Sequence, residues 1–298
     1  MTKRNKCFKI GGMMDMATII DGKELAKTIR EELKQEVEQL KQRNIQPKLA
    51  VILVGNDKAS QIYVRNKNRA CEELGIAFEE FLLEEQTTME TLLGIIQSLN
   101  AREDIHGILL QSPIPKHLDM QQAILAIEPQ KDVDGFHPVN VGKLMIGQDT
   151  FVSCTPQGVI KMLEAYHIPL EGKQAVIIGR SNIVGKPLIP CLLSKHATVT
   201  VCHSKTQHIA DITTQADILI AAVGKAKFVT ADMVKPGAVV IDVGINRNTE
   251  GKIEGDVDFD NVSQKASYIT PVPGGVGPMT IAMLMHNVVK AAKLQNPS

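Results

Sequence analysis

Apolar and polar residues alternate along the chain with two periods, one typical of amphipathic helices and the other of buried strands. From Leu25 to Leu40, leucine, isoleucine and valine recur every three or four positions, which predicts a helix that Asp21 caps. Residues 48–55, KLAVILVG, form a continuous apolar run of strand length, as in strands buried on both faces. The same reasoning predicts further helices over 60–74, from a Thr87/Glu90 capping box to about Asn100, and over 117–127, with strands over 77–83 and 105–111.

A loop-like stretch between Asp132 and Pro156 breaks this alternation, and Thr155-Pro156 suits the start of a new helix. Beyond it, the pattern predicts strands over 174–179, 198–202, 217–223 and 238–243, with helices between them and a last helix over 279–294. Such alternation predicts an α/β fold of parallel sheets joined by right-handed crossovers. We therefore predict two domains, 17–153 and 154–278, with residues 279–298 packing back on the first.

The first sixteen residues differ from the rest of the chain. They carry four basic residues but lack the continuous apolar stretch that a secretory signal needs. We expect residues 1–16 to form a disordered leader, with the folded chain beginning near Met16.

Composition and charge exclude several classes of protein. Hydrophobic residues make up 44% of the 298, which rules out disorder as the main state. Lys plus Arg and Asp plus Glu each number 33, so no global field attracts nucleic acid or an acidic membrane. The longest apolar runs are too short to span a bilayer. Five scattered cysteines without CxxC favour a reduced, cytoplasmic compartment, and the histidines form no metal-binding pair, so no metal site is predicted.

The second half opens with a pattern that can hold a dinucleotide. In AVIIGRSNIVGKP (175–187) a buried strand runs into Gly179, Arg180 and Ser181 and then into a helix, where backbone amides can approach a pyrophosphate. This is not G-x-G-x-x-G, and a tight turn without a ligand explains it almost as well. The next strand ends in HSKT with Ser204 and no acidic residue, so Arg180 and Ser204 could hold a 2′-phosphate. The combined pattern favours NADP over a solvated surface turn, and it makes the second domain Rossmann-like.

Candidate acid–base residues lie in the first half. Tyr63 and Lys67 in YVRNK share one face of a predicted helix, and a lysine can act in proton transfer if burial lowers its pKa. Gln111 ends a predicted parallel strand, where ligands bind in open sheets, although a glutamine there could instead cap a turn. Asp134 in KDVDGF could bind an amino-heterocycle or only stabilise its turn. Taken alone, the Tyr–Lys pair is better explained by an exposed helix face, which carries many such pairs, and Asp134 is better explained by its turn.

A loop rich in proline and glycine, TPVPGGVGPMT (270–280), precedes the last predicted helix. Its stiffness and exposed backbone groups would allow close approach to a flat ligand, and it could equally be a linker between the domains.

Together, five separated blocks resemble the bifunctional methylenetetrahydrofolate dehydrogenase/cyclohydrolase family. The resemblance runs from about Ala17 to near the end of the chain. Its blocks, in order, are YVRNK (63–67), GILLQSPIP (107–115), KDVDGF (131–136), GRSNIVGKP (179–187) with HSKT (203–206), and PVPGGVGP (271–278). Where the family often has LPLP this chain has SPIP at 112–115, which leaves Gln111 in place.

The resemblance implies two domains with a folate cleft between them, a homodimer, and two reactions of one-carbon metabolism. The first oxidises 5,10-methylenetetrahydrofolate to the 5,10-methenyl compound with NADP, and the second hydrolyses that compound to 10-formyltetrahydrofolate. By motif, Lys67 would be the main acid–base group, with Tyr63 positioning the ligand, Gln111 orienting Lys67 and Asp134 holding the pterin ring. The other implied residues are Gly179, Arg180, Ser181, Ser204 and Ile245 for the cofactor, and Pro273, Gly274, Gly275, Val276 and Gly277 for the folate and nicotinamide site.

Two other functions would fit parts of the sequence. One is an NADP-dependent dehydrogenase of another small substrate, which the first-half blocks argue against. The other is a catalytically silent nucleotide-binding regulator, which the presence of Lys67, Gln111 and Asp134 argues against.

Overall fold

The computed structural model describes residues 16–248 and 250–297, so the predicted leader lies, except for Met16, outside the described residues. Its strands are β1 (Thr18–Ile19), β2 (Lys48–Val54), β3 (Ala77–Leu83), β4 (Gly107–Leu110), β5 (Gln174–Ile178), β6 (Thr198–Cys202), β7 (Ile218–Ala221), β8 (Val239–Asp242), β9 (Asn246–Arg247), β10 (Ile253–Glu254) and β11 (Tyr268–Ile269). Its helices are α1 (Gly22–Gln42), α2 (Lys58–Leu74), α3 (Met89–Asn100), α4 (Met120–Ala126), α5 (Pro138–Met145), α6 (Cys154–Ala165), α7 (Gly185–Leu193), α8 (Ile209–Thr213), α9 (Phe259–Val262) and α10 (Val276–Gln295), with a 3₁₀ turn at Ala231–Met233.

Two parallel sheets organise the chain, which confirms the predicted α/β class. The first has the order β3-β2-β4, and its central strand β2 is buried from Leu49 to Val54, as its apolar run predicts. The second has six strands in the order β1-β11-β8-β7-β5-β6, all paired in parallel. The small strands β9 and β10 form a separate antiparallel hairpin that the sequence patterns did not predict.

The second sheet includes β1, a segment that was predicted to belong to the first domain. Thr18 and Ile19 pair with Tyr268 and Ile269, because the extended chain before α1 satisfies the free edge of β11. Thr18 and Ile19 therefore join the second sheet, and the chain continues to the first sheet through α1, which Asp21 caps as predicted.

Several helix starts differ from their predicted positions. Helix α3 is capped by Thr88, whose side chain accepts a hydrogen bond from the Thr91 amide, so the predicted Thr87/Glu90 box is displaced by one residue. Helix α6 already begins at Cys154, which places Thr155-Pro156 inside its first turn. Helix α10 begins at Val276 instead of 279, so the end of the proline- and glycine-rich loop, including Gly277, forms its first turn.

Helix α5 occupies the stretch that was predicted to be a loop. The side chain of His137 accepts a hydrogen bond from the Val139 amide at 3.1 Å, and Pro138 occupies the first helical turn, where its missing N–H costs nothing. A histidine is not a usual cap signal, which is why the pattern did not reveal this short helix.

Helix α10 connects the two sheets. It packs against α1, α2 and α6, and its buried residues belong to one apolar cluster with side chains of both sheets, including Leu49 of β2 and Ile177 of β5. The returning C-terminal helix therefore shares its core with both halves of the molecule.

Candidate active site

Lys67 and Gln111 form the centre of the candidate site. Helix α2, capped by Asp57, carries Tyr63 and Lys67 one turn apart, and β4 delivers Gln111 at its carboxyl end. The Lys67 Nζ donates a hydrogen bond to Gln111 Oε1 at 2.6 Å, while Gln111 Nε2 donates to the Ser112 carbonyl at 2.6 Å. Gln111 is buried and Tyr63 is exposed on 43% of its surface, so the amide is fixed whereas the phenol borders the open side.

Burial displaces the two charged groups of this site in opposite directions. It lowers the pKa of Lys67, an effect that the negative charge of Asp134 partly opposes. Burial also raises the pKa of Asp134 to about 6, with the Lys67 charge acting against the rise. At neutral pH Asp134 is therefore an acceptor, and Lys67 has a larger neutral fraction than a lysine in water.

Asp132, two residues before Asp134, shapes the turn and leaves Asp134 to face the site. Its carboxylate accepts hydrogen bonds from the Phe136 amide at 3.3 Å, the His137 amide at 2.8 Å and the Asn140 side chain at 2.8 Å. Residue 135 is glycine with a φ of 71°, and a Cβ there would lie 2.7 Å from the Ser153 nitrogen. Only glycine permits this approach of the turn to the chain entering α6.

A cavity of about 110 Å³ lies beside these carboxylates. Apolar side chains of β4 and α4 line it together with Ser112, Asp134 and Phe136, and Ile183 closes it from the loop that follows β5. The Ser153 hydroxyl donates to the Ile183 carbonyl at 2.6 Å and so holds that loop against the start of α6. The cavity is therefore built from both halves of the chain.

The predicted cofactor residues lie at the carboxyl ends of neighbouring strands. Ile178 of β5 is paired with Cys202 of β6, which places Arg180 and Ser204 at equivalent positions just beyond the sheet. Gly179 has a φ of 131°, and a Cβ at this position would lie 2.2 Å from the Ala222 carbonyl oxygen. Arg180 and Ser204 are exposed, as groups that meet a 2′-phosphate would be.

Ser181 has a local partner that the sequence did not predict. Its hydroxyl oxygen accepts long hydrogen bonds from the Val184 and Gly185 amides, at 3.2 and 3.4 Å, and so stabilises the entry to α7. The hydroxyl hydrogen can still be donated to a ligand.

The remaining predicted residues border the same end of the second sheet. Ile245, after β8, is exposed on 51% of its surface. The loop with Pro273 and Gly274 rests on the start of α1, where the Lys23 amide donates to the Gly274 carbonyl at 3.0 Å. Gly275, Val276 and Gly277 form the last loop residue and the first turn of α10.

Two further residues support the site, and sequence patterns did not identify them. The Cys154 thiol is buried near Lys67 and Asp134, and burial raises its pKa well above the ordinary value, so it stays a neutral thiol. Asn287 of α10 donates through Nδ2 to the carbonyls of Val133 at 2.8 Å and Val152 at 3.1 Å. Their partners are distant in sequence, and no spacing rule connects such positions.

Over residues 16–248 and 250–297, no group of three or more potential ligand side chains is placed to hold a metal ion. None of the helices described in those ranges is long and apolar enough to cross a bilayer.

Comparison with known proteins gives matches over both halves of the chain. A family model described as the catalytic domain of tetrahydrofolate dehydrogenase/cyclohydrolase matches residues 20–134, and the model of its NAD(P)-binding domain matches residues 153–296. The bifunctional protein FolD of Acetivibrio thermocellus is 58% identical over 279 residues, which are 94% of this chain and 98% of the relative.

Two solved structures are also similar. The bifunctional FolD methylenetetrahydrofolate dehydrogenase/cyclohydrolase of Campylobacter jejuni has a TM-score of 0.92 at 54% identity, with 93% of this chain and 99% of that chain covered. The methylenetetrahydrofolate dehydrogenase-cyclohydrolase of Trypanosoma brucei, complexed with NADP and an inhibitor, has a TM-score of 0.91 at 39% identity, with 96% and 100% covered.

Proposed function

The chain belongs to the tetrahydrofolate dehydrogenase/cyclohydrolase family, and we propose that one cleft serves both of its reactions. The chain oxidises 5,10-methylenetetrahydrofolate with NADP and hydrolyses the methenyl product to 10-formyltetrahydrofolate. The observation that carries this proposal is the Lys67–Gln111 hydrogen bond of 2.6 Å, made beside Asp134 in the half of the chain that matches the catalytic domain. A single acid–base group at that place can serve two consecutive reactions of one bound ligand.

The residues at the ends of β5 and β6 fit an NADP. A Cβ on Gly179 would collide with the Ala222 carbonyl and one on Gly185 with the Gly179 carbonyl, so only glycine allows the tight turn from β5 into α7. We propose that the backbone amides of this turn face the pyrophosphate. Arg180 and Ser204 would hold the 2′-phosphate. The segment HSKT contains no acidic residue that could repel this phosphate. Ser181 and Ile245 complete the proposed set. When bound, NADP accepts the hydride that the folate loses.

Asp134 is proposed to hold the pterin ring. An ionised carboxylate accepts two hydrogen bonds, and an aminopyrimidinone edge offers them from its amino group and the adjacent ring N–H. The neighbouring cavity supports this role, because its apolar walls exclude water from a flat ring while Asp134 supplies the polar anchor. Pro273 to Gly277 would cover the ring from the opposite side, and the exposed phenol of Tyr63 would stack on the ligand.

Lys67 is proposed to carry the proton in the hydrolytic step. Water that attacks the methenyl carbon must lose a proton, and an amine whose pKa is lowered by burial can accept it. The bond from that carbon to N5 then breaks as the hydroxyl becomes the formyl C=O, and N5 takes up a proton. Gln111 positions that amine: its Oε1 accepts one N–H, which leaves the nitrogen lone pair of neutral Lys67 directed elsewhere. In the oxidative step, the same hydrogen bond holds Lys67 in place beside the ligand.

We further propose a cytoplasmic homodimer. Strand β6 forms an edge of the second sheet, and Leu193, shortly before it, is exposed on 49% of its surface, which supports a partner along this edge.

The four cysteines in the described residues are buried free thiols, which supports a reducing compartment. Light scattering of the purified chain tests the homodimer, which a monomer would contradict. Fractionation of cells tests the cytoplasmic location, which a secreted protein would contradict.

A spectrophotometric assay tests the proposed function. The chain is mixed with 5,10-methylenetetrahydrofolate and either NADP or NAD, and methenyl formation and decay are followed together. We expect formation with NADP, followed by decay faster than in enzyme-free solution. Absence of methenyl formation with both cofactors would contradict the dehydrogenase, and decay at the enzyme-free rate would contradict the cyclohydrolase.

A further inference from the structure

Two buried carboxylates lie beyond the carboxyl end of β8, outside the residues assigned above. Asp242 is exposed on 3% of its surface and Asp256 on none. Asp242 accepts hydrogen bonds from the amides of Gly244, Asp256 and Val257, each at 2.9 Å. It therefore fixes the backbone on which Asp256 is carried.

The Asp256 carboxylate accepts hydrogen bonds from two loops. Its carboxylate accepts from three successive amides, those of Val223 at 2.6 Å and of Gly224 and Lys225 at 2.9 Å, directly after β7. It also accepts from the Asn246 side chain at 2.9 Å, after β8. Successive amides that converge in this way form an anion-binding concavity, and here the chain fills it with its own carboxylate.

The two carboxylates pack directly against the backbone of Gly244 and Gly255. A Cβ on Gly244 would lie 2.3 Å from Asp256 Oδ1, and one on Gly255 would lie 1.9 Å from Asp242 Oδ2. Within residues 16–248 and 250–297 neither carboxylate forms a salt bridge, so backbone amides and Asn246 provide their stabilisation. A buried charge held this way is costly unless its donors are all in place.

The residues that Asp256 holds border the proposed cofactor site. Val223 and Ile245 are apolar yet exposed on 36% and 51% of their surfaces, and they follow the adjacent strands β7 and β8. Ala222, next to Val223, contacts Gly179 of the dinucleotide loop. Asp256 fixes Val223 through its amide and Ile245 through the neighbouring Asn246.

We propose that Asp256 is a positioning residue that holds Val223 and Ile245 as two apolar sides of the slot for the nicotinamide end of NADP. This assignment rests on the proposed function. A neutral side chain of the same size has too few acceptor sites for four donors, so an amide at this position leaves N–H groups of residues 223–225 unpaired. The loops after β7 and β8 then lose their common anchor, while Lys67, Gln111 and Asp134 keep all their contacts.

The test compares Asp256→Asn with wild type by calorimetric titration of NADP and, separately, of a folate. Asp217→Asn is the matched control, because Asp217 also accepts a backbone amide, that of Gln174, but lies before β7 at the other end of the sheet. We expect the Kd for NADP to rise about tenfold in Asp256→Asn, because buried donors lose their acceptor. We expect the Kd for the folate and the cyclohydrolase rate without NADP to stay within about twofold.

The possible results separate this assignment from the proposed function. A rise in the NADP Kd below about threefold in folded Asp256→Asn, or an equal loss of folate affinity, overturns the positioning role. If that variant does not fold, Asn246→Ala removes a single donor and decides in its place: a selective loss of NADP affinity supports the role, and unchanged affinity overturns it. Failure of wild type to bind NADP overturns the proposed function and this assignment together.

Discussion

At the scale of residues, burial changes the pKa values of Lys67 and Asp134 in opposite directions. Burial disfavours charge, so it lowers the pKa of Lys67 and raises that of Asp134 to about 6. Each charge moderates the shift of the other. The result at neutral pH is an amine able to accept a proton near a carboxylate that is still ionised, and the proposed mechanism needs both.

Asp134→Asn tests the proposed pterin contact. The amide places a donor opposite a ligand donor, so we expect folate affinity to fall by about 1–3 kcal/mol in both reactions, with NADP affinity nearly unchanged. Calorimetric titration of each ligand measures this, and exposed Asp260→Asn is the control. If Asp134 only stabilised its turn, the melting temperature would fall and folate affinity would not.

The same contact predicts a pH dependence. Asp134 protonates as the pH falls through about 6, so wild-type folate affinity should decrease below that pH, whereas in Asp134→Asn this component should be missing. Titrations of folate at several pH values between 5 and 8 measure it, because a single carboxyl group titrates over about two pH units. Parallel curves for the two proteins would contradict the assignment.

Arg180→Ala tests how NADP is distinguished from NAD. Without the guanidinium, the 2′-phosphate of NADP loses its charged partner. The rest of the dinucleotide, which NADP and NAD have in common, keeps its contacts. The KM for NADP should therefore rise much more than that for NAD, and steady-state kinetics with both cofactors measures the ratio. Equal changes, or a wild-type preference for NAD, would exclude Arg180 as the discriminating residue.

At the scale of elements, the proposed site is assembled from the ends of strands. Gln111 follows β4, Gly179 follows β5 and Ser204 follows β6, all at the carboxyl edges of parallel sheets where ligands bind in open α/β folds. Sequence patterns could predict this much because buried parallel strands are continuous apolar runs and the polar residues come directly after them.

Gly179→Ala tests the close approach at the end of β5. Alanine would need a φ of 131° and would place its Cβ 2.2 Å from the Ala222 carbonyl oxygen, so the dinucleotide loop must move. We expect severe loss of NADP binding with folate binding kept, measured by titration of each ligand. Gly237→Ala is the control, since its φ is also positive, at 79°, but open space surrounds it. Similar NADP affinities for the two variants would contradict a role for the close approach.

Other elements could not be predicted because their stabilisation is not local. Helix α5 depends on an unusual histidine cap, and β1 exists only because the edge of β11 is available to it. Likewise, Cys154 and Asn287 reach the site from α6 and α10, and Asp256 meets residues about thirty positions earlier in the chain. Local periodicity carries no information on such long-range contacts.

At the scale of the whole molecule, the two matched regions share one core. The apolar cluster around α10 includes residues of β2 and of β5, so neither sheet can lose its packing alone. We expect calorimetry to show a single unfolding transition, coincident with the loss of helical circular dichroism. Two resolved transitions would show that the halves unfold independently and would contradict a common core.

The most direct test of the central claim, that Lys67 is the acid–base group of this cleft, supplies the methenyl compound itself to Lys67→Met. We expect cyclohydrolase activity to be abolished while NADP affinity and the melting temperature match wild type, because methionine keeps the apolar stem and loses the titrating amine. Lys58→Met, an exposed lysine on the same helix, should hydrolyse at the wild-type rate. A folded Lys67→Met protein that hydrolyses the methenyl compound at near the wild-type rate would contradict the account.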